Sequence, residues 1–189
     1  MSTRPAPTSR LSPLNLSLAA KNQLSHGFFQ WCVVTPDLPR ACEQIRNMYG
    51  VPVWLFLENA PLNQVMYGGQ AIDIRVNMAF GYIGDTNVEI IQPREEGDDN
   101  LYREFLRERP RGGFHHLGFK VYNFEEATSA LEAQFGPTVQ RGQFGTGGTK
   151  FAYYDTREAT GLYTEVICFD QASEALLTSL RDGNPPGSL

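Results

Sequence analysis

The hydrophobic and polar positions of this chain follow the same order twice. A run of β-branched and aromatic residues at 28–35 precedes an amphipathic stretch at Leu38–Tyr49, which ends at Gly50. The same succession returns 86 positions later, where Gly136 stands in the place of Gly50. Apolar residues recur at helical spacing in both amphipathic stretches. The repetition predicts two copies of one supersecondary unit, each beginning with a strand and a helix, that pack about a pseudo-two-fold axis.

Three further strands are predicted after the helix in each copy. The first copy has them at 51–57, 71–83 and 87–92, and the middle one alternates apolar and polar residues as a half-buried strand does. The second copy is predicted to contain a strand at 114–121, a helix at 124–135 and strands at 138–144, 150–154 and 162–169. The chain therefore contains two predicted βαβββ modules, and a last helix at 172–180 lies beyond the repeat.

These elements predict an α+β fold. Two tandem βαβββ modules are expected to form an open, pseudo-two-fold barrel-like sheet with helices outside, as a single domain. The predicted boundaries are a flexible N-terminal arm at 1–25, module 1 at 26–93, a linker with a short helix at 94–112, module 2 at 113–170, and a C-terminal helix and tail at 171–189.

Charge and composition narrow the classes of partner. The chain carries a formal net charge of −5 and has no basic cluster, so it lacks the electrostatic footprint of a nucleic-acid-binding or anionic-membrane-binding protein. No segment approaches the roughly 20 apolar residues that span a bilayer. Three cysteines without CxxC spacing favour buried, reduced thiols. We therefore expect a cytoplasmic protein that acts on a small molecule.

Four polar residues occupy equivalent positions in the two modules. Side chains alternate between the faces of a strand, so Gln30 and His116, each on a first strand, are expected to point the same way. Glu89 and Glu165 are single carboxylates among apolar residues in the two fourth strands. A buried charge is costly unless it is paired or bound to a metal. Three oxygen donors and one nitrogen donor predict a divalent cation site. The alternative is that the glutamates face solvent and the histidine is structural.

The two remaining histidines lie close to these positions in the sequence. The alternation of a strand predicts that His115 points to the face opposite His116, and His26 lies four residues before Gln30. Each is expected to be a structural or rim residue, with hydrogen bonding to a metal ligand as the alternative. Neither is included in the predicted ligand set.

The strings that carry these positions resemble a known superfamily. They are Gln30–Leu38, Asn87–Pro93, Gly112–Val121 and Gly161–Val166. Together they resemble the vicinal oxygen chelate superfamily, which includes glyoxalase I, methylmalonyl-CoA epimerase, bleomycin-resistance proteins and extradiol dioxygenases. The ligand types are similar to those of zinc-containing glyoxalase I, and the Gly-Gly-Phe-His-His string is more similar to methylmalonyl-CoA epimerase.

The resemblance implies a metal site and an activity. Gln30, Glu89, His116 and Glu165 would bind a divalent cation, zinc first, with cobalt, nickel, manganese or iron as alternatives. The chain would be a homodimer and an isomerase, epimerase or lyase that abstracts a proton next to a carbonyl through a metal-stabilised enolate. Glu165 is expected to be the catalytic base, with Glu89 as the second catalytic carboxylate.

Other functions stay open at this point. One alternative is a metal-free protein that binds a ligand, as bleomycin-resistance proteins do. A ring-cleaving dioxygenase is less well supported, because Gln30 stands where its first histidine would be. A small apolar or aromatic substrate is predicted by the aromatic residues expected near the site. They are Trp54, Phe56, Tyr67, Phe80, Tyr82, Phe151 and Tyr153.

Overall fold

The computed structural model describes residues 16–145 and 148–184. Its elements follow the order expected for two βαβββ units, with four additional helices. They are α1 (Leu18–Leu24), β1 (Phe28–Val34), α2 (Leu38–Tyr49), β2 (Leu55–Tyr67), β3 (Gln70–Ile83), β4 (Thr86–Gly97), α3 (Leu101–Glu108), β5 (Gly113–Lys120), α4 (Phe124–Phe135), β6 (Gln140–Phe144), β7 (Thr149–Tyr154), α5 (Arg157–Thr160), β8 (Tyr163–Cys168) and α6 (Gln171–Arg181).

The eight strands form one closed barrel in the order β1-β4-β3-β2-β6-β7-β8-β5. The pairs β1–β4 and β5–β8 are parallel, and the other neighbours are antiparallel. The predicted α+β fold class is confirmed, and the sheet is closed where an open one was expected. Closure follows from the length of β2, which continues past residue 57 to Tyr67 and pairs with β6 there.

The two repeat helices have the bounds that the sequence predicts. Asp37 accepts a hydrogen bond from the backbone N–H of Arg40 at the start of α2, and Asn123 does the same for Glu126 in α4. Gly50 ends α2 in the left-handed conformation, with a φ of 77°. These capping side chains and the glycine lie directly next to the helices. The helix boundaries could therefore be predicted from nearby residues in the sequence.

Helices cover the outer face of the barrel. Leu38 and Cys42 of α2 pack with Val88 and Ile90 of β4. In the second module, α4 contributes Ala127 and Leu131 to the corresponding cluster, which it shares with Ala152 and Val166 of β7 and β8. Helices α3 and α6 instead contribute to the main hydrophobic core, through Leu101, Phe105 and Leu180. Burial of these apolar faces stabilises the barrel.

The N-terminal segment contains a helix that the pattern does not predict. Ser17 caps α1, and Ala20 is buried in the cluster formed with α4. This helix lies within the predicted arm at 1–25, of which residues 1–15 fall outside the described part, as do residues 185–189 of the predicted tail. In the described ranges, every helix is too short or too polar to cross a bilayer.

Candidate metal centre

Four neighbouring strands of the barrel carry the four predicted ligands. The strands lie side by side in the order β4, β1, β5 and β8, and they carry Glu89, Gln30, His116 and Glu165 in that order. All four residues are buried, with exposed fractions between 0% and 6%. The alternative of solvent-facing glutamates is therefore excluded.

Residues that are paired laterally across these strands form two rows of side chains, and the first row contains a cysteine. Cys32 on β1 is paired with Glu89 on β4 and with His116 on β5. Its sulfur, a carboxylate oxygen of Glu89 and a ring nitrogen of His116 all lie within 4.8 Å of one another. The sequence had predicted only a buried thiol here. The sequence could have indicated this position, because Cys32 lies two residues after Gln30 on the same strand and both side chains therefore point to the same face of the sheet.

The second row contains a glycine in the corresponding place. Gly118 on β5 is paired with Gln30 on β1 and with Glu165 on β8. A Cβ atom at residue 118 would lie only 2.8 Å from Oε1 of Gln30. The glycine therefore leaves the space that the Gln30 amide occupies.

The two carboxylates converge on His116. Its Nε2 lies 3.2 Å from Oε2 of Glu89 and 3.2 Å from Oε2 of Glu165. Nε2 of Gln30 donates a hydrogen bond of 2.8 Å to Oδ1 of Asn87. Asn87 in turn donates to the carbonyl of Gly81 over 3.1 Å. This chain of hydrogen bonds fixes the amide of Gln30 and leaves its oxygen free.

Each of the four side chains has one buried polar atom without a hydrogen-bond partner among the described residues. These atoms are Oε1 of Gln30, Oε2 of Glu89, Nε2 of His116 and Oε2 of Glu165. Buried polar atoms are rarely left without a partner in native proteins. Three oxygens and one imidazole nitrogen form a donor set that divalent ions such as zinc, cobalt or manganese accept. The residues present therefore fit a divalent cation.

The electrostatics of the cluster also favour positive charge. Burial by itself lowers the pKa of His116, but the carboxylates of Glu165 and Glu89 outweigh it and raise the pKa to about 9. Burial raises the pKa of Glu89, and His116 opposes that effect. A proton on His116 thus compensates the two carboxylates in the metal-free protein. A cation that binds through Nε2 must displace that proton.

His115 does not point away from His116 as the strand alternation predicts. Cys32 and Val33 of β1 pair with His116 and Phe114, so His115 is the extra residue of a β-bulge. The bulge turns its side chain inward, where it is 1% exposed. Its Nδ1 lies 2.9 Å from Nδ1 of His116. Burial, followed by the charge of His116, lowers the pKa of His115 well below its usual value.

A cavity of about 50 Å³ adjoins Gln30, Glu89 and Glu165. Most of its lining is apolar, and among the described residues no Lys, Arg or His lines it. The remaining lining residues are Leu57, Leu62, Met78, Phe80, Tyr102, Phe144, Phe151, Tyr153, Ile167, Phe169, Ser173, Leu176 and Leu177. The cavity therefore offers two acidic groups and an apolar wall.

Three of the seven predicted substrate-binding residues line this cavity, namely Phe80, Phe151 and Tyr153. The other four lie elsewhere. Trp54 packs in the cluster beneath α2, and Phe56 is 48% exposed. Tyr67 donates a hydrogen bond to Glu104, and Tyr82 lines a separate groove. The pairing of β2 with β3 contains two register shifts. Each shift changes which side chains of β2 point inward, and regular alternation along the sequence does not predict it.

The sequence did not identify the helical part of the cavity wall. Tyr102 of α3 lies inside the barrel, and its hydroxyl is 3.0 Å from that of Tyr153. Leu176 and Leu177 of α6 line the cavity as well. Helical periodicity gives the apolar face of such helices, but it does not state which part of the barrel that face covers.

Comparisons with known proteins identify related sequences. A family model described as the glyoxalase/bleomycin resistance protein/dioxygenase superfamily matches residues 29–153. The mitochondrial methylmalonyl-CoA epimerase of Dictyostelium discoideum is 28% identical over 102 residues, which are 54% of this chain and 53% of that protein. This chain thus spans about half the length of that relative. An ethylmalonyl-CoA/methylmalonyl-CoA epimerase of Cereibacter sphaeroides is 25% identical over 136 residues, 71% of this chain and 91% of that protein.

A solved structure has a similar fold. The crystal structure of methylmalonyl-CoA epimerase from Mycobacterium tuberculosis matches with a TM-score of 0.52 at 16% sequence identity. The match covers 81% of this chain and 93% of that one. At this identity the likeness concerns the fold alone.

Proposed function

This chain belongs to the glyoxalase/bleomycin resistance protein/dioxygenase superfamily, as its motifs predict, and we propose that it is a metal-dependent epimerase or isomerase. The proposed reaction removes a proton from the carbon next to a carbonyl of a small substrate and returns it. One observation carries the proposal: Nε2 of His116 lies 3.2 Å from a carboxylate oxygen of both Glu89 and Glu165, and Gln30 lines the same cavity as these glutamates with its Oε1 unpartnered among the described residues. The names of the two epimerase relatives support the same reaction class.

Four residues are proposed to hold the cation: Gln30, Glu89, His116 and Glu165. When bound, a divalent cation would place positive charge beside the carbonyl oxygen of the substrate and so make the neighbouring C–H bond more acidic. Asn87 orients Gln30 so that the amide oxygen stays free for this role. Zinc is the metal that we expect first, with cobalt, nickel, manganese and iron as alternatives.

The two glutamates are proposed to move the proton. A carboxylate oxygen of Glu165 accepts the proton from the substrate, and Glu89, ionised in the resting site, takes a proton from solvent and delivers it to the same carbon, after which Glu165 releases its proton to solvent. Both carboxylates contact Nε2 of His116, yet they come from strands that flank β1 and β5 on either side. Carboxylates placed on two sides of a substrate suit epimerisation, because the proton leaves from one face and returns to the other.

The charge of the site indicates the class of substrate. Two ionised glutamates neutralise a divalent cation, and no cationic residue lines the cavity in the described part of the chain. The site therefore lacks the excess positive charge that attracts an anionic substrate group. We propose a neutral carbonyl compound with an apolar or aromatic substituent, held against the apolar wall.

The experiment follows the exchange of the reacting proton with solvent. Metal content is measured first on the purified protein. The protein is then incubated in D₂O with racemic methylmalonyl-CoA, whose acyl group carries a carboxylate, or with 2-phenylpropionyl-CoA, whose acyl group is uncharged, and NMR records deuterium at the carbon next to the thioester. We expect metal-dependent exchange that is faster with the thioester of the uncharged acyl group.

Glu165→Gln should lower that exchange rate by a factor on the order of 10³, because an amide cannot accept the proton. The exposed Glu158→Gln is the matched control and should leave the rate unchanged. Exchange that persists in Glu165→Gln would contradict the assigned base. A folded, metal-free protein that binds 2-phenylpropionyl-CoA without exchange would indicate ligand sequestration instead.

A further inference from the structure

We infer that His115 is a positioning residue for the cation site, because it accepts a hydrogen bond from Nδ1 of His116 and thereby keeps Nε2 of His116 free for the cation. This inference rests on the proposed function. It assigns a role to an inward side chain of β5 that the proposed reaction does not use.

The first support is the contact between the two rings. Nδ1 of His115 and Nδ1 of His116 are 2.9 Å apart, and the rings are nearly perpendicular at 83°. A separation of 2.9 Å between two ring nitrogens requires a shared proton, since two bare nitrogens would repel each other. The proton belongs to one ring, and the other ring accepts it.

The second support is the direction of the other nitrogen of His116. Its Nε2 lies 3.2 Å from a carboxylate oxygen of each of Glu89 and Glu165, where the cation is proposed to bind. A cation requires the bare lone pair of Nε2, so Nδ1 must carry the proton of the neutral ring. Metal-binding histidines generally donate this second N–H to an acceptor that fixes the tautomer. Here the acceptor is Nδ1 of His115.

The third support is the way the ring of His115 is held. Aromatic side chains surround it, with ring centroids 5.0 Å away for Phe105 and Tyr163 and 5.5 Å away for Tyr102. The bulge in β5 fixes the backbone beneath it. Nε2 of His115 is buried with no hydrogen-bond partner in the described part of the chain. A buried N–H left in this position is unfavourable, which favours a functional rather than a structural reason for histidine.

A zinc-binding experiment tests the role of the acceptor. The dissociation constant of zinc is measured by competition with a chromophoric chelator, on wild type, His115→Phe and His115→Asn. We expect His115→Phe to weaken zinc binding about 10- to 100-fold, because it keeps an aromatic ring and removes the acceptor. Asparagine places an oxygen near the position of Nδ1, so His115→Asn should recover most of the affinity. Equal affinity in wild type and His115→Phe would overturn the inference.

NMR of the wild-type protein gives a second measurement that does not depend on the folding of a variant. The chain has three histidines, so ¹⁵N-histidine labelling produces a simple spectrum. In the zinc-loaded protein we expect a proton on Nδ1 of His116 and a scalar coupling across the hydrogen bond to Nδ1 of His115. A bare Nδ1 on zinc-bound His116 would overturn the inference and leave the proposed function intact. A wild-type protein that binds no divalent cation would remove both.

Discussion

The glycine at residue 118 determines where one ligand of the candidate cation site can lie. Gly118 separates Gln30 from Glu165 in the second row of the site, and the amide of Gln30 occupies the space a methyl group would fill. The neighbouring row has Cys32 at the corresponding place, between Glu89 and His116. The site is therefore asymmetric although its four ligands occupy equivalent positions.

Gly118→Ala tests this arrangement. The added Cβ would lie 2.8 Å from Oε1 and 3.0 Å from Cβ of Gln30, so the amide must move, while residue 118 has no left-handed φ that would strain an alanine. We expect zinc affinity to fall on the order of tenfold with the fold retained. The competition assay gives the affinity and circular dichroism checks the fold. In a Gln30→Ala background, where the 2.8 Å contact is gone and only the 3.0 Å contact with Cβ of residue 30 and the 3.3 Å contact with Phe29 remain, the same change should have a much smaller effect, and an equal loss there would refute the explanation.

Two elements position the site from outside the repeated pattern. The bulge of β5 brings His115 into the barrel beside His116. Helix α6 covers the cavity with Leu176 and Leu177. At the N-terminus of α6, Asp170 accepts a hydrogen bond from the backbone N–H of Ser173. This contact lowers the pKa of the Asp170 carboxyl, so its stabilising effect is present above the ordinary aspartate pKa and is lost as pH falls below it.

Asp170→Ala should therefore weaken the covering helix. Loss of the cap is expected to lower the free energy of unfolding by about 1 kcal/mol at neutral pH. It should also speed amide hydrogen exchange in α6. Urea denaturation and hydrogen exchange with mass spectrometry measure the two effects. Asp170→Asn is the control, since asparagine caps helices as well as aspartate does. If asparagine destabilised as much as alanine, capping would not be the cause.

Across the whole molecule, the cation site joins strands of both modules. Strands β4 and β1 belong to the first module, and β5 and β8 belong to the second. A bound ion would therefore link the two modules where β1 pairs with β5. The two modules also meet where β2 pairs with β6. The cytoplasmic location and the homodimer stay predictions, and sedimentation velocity on the full chain tests the latter.

The stability of the metal-free barrel should depend on pH through His116. Its folded pKa of about 9 exceeds the ordinary value of 6.5, so its protonation stabilises the fold below pH 6.5. That contribution, on the order of 3 kcal/mol, is lost as pH rises through 9. Urea denaturation of chelator-treated protein between pH 6 and 10 measures the loss. Saturating zinc should flatten this dependence, and His116→Gln should abolish it. A flat profile in the metal-free wild type would contradict this account.

The repeat, both repeat helices and the four inward polar positions were predictable from the sequence, because each depends on residues close together in the chain. The ends of α2 and α4 follow from Asp37, Asn123 and the glycines after them. The inward direction of Gln30 and His116 follows from regular alternation along a strand.

Tertiary structure decided the rest, because it depends on residues far apart in the sequence. The extension of β2 to Tyr67 exists only through its pairing with β6. His115 turns inward because β5 carries one residue more than β1 at that point, which neither strand shows alone. The cavity wall needed the placement of α3 and α6 against the barrel, and that placement is set by packing of their apolar faces rather than by their own periodicity.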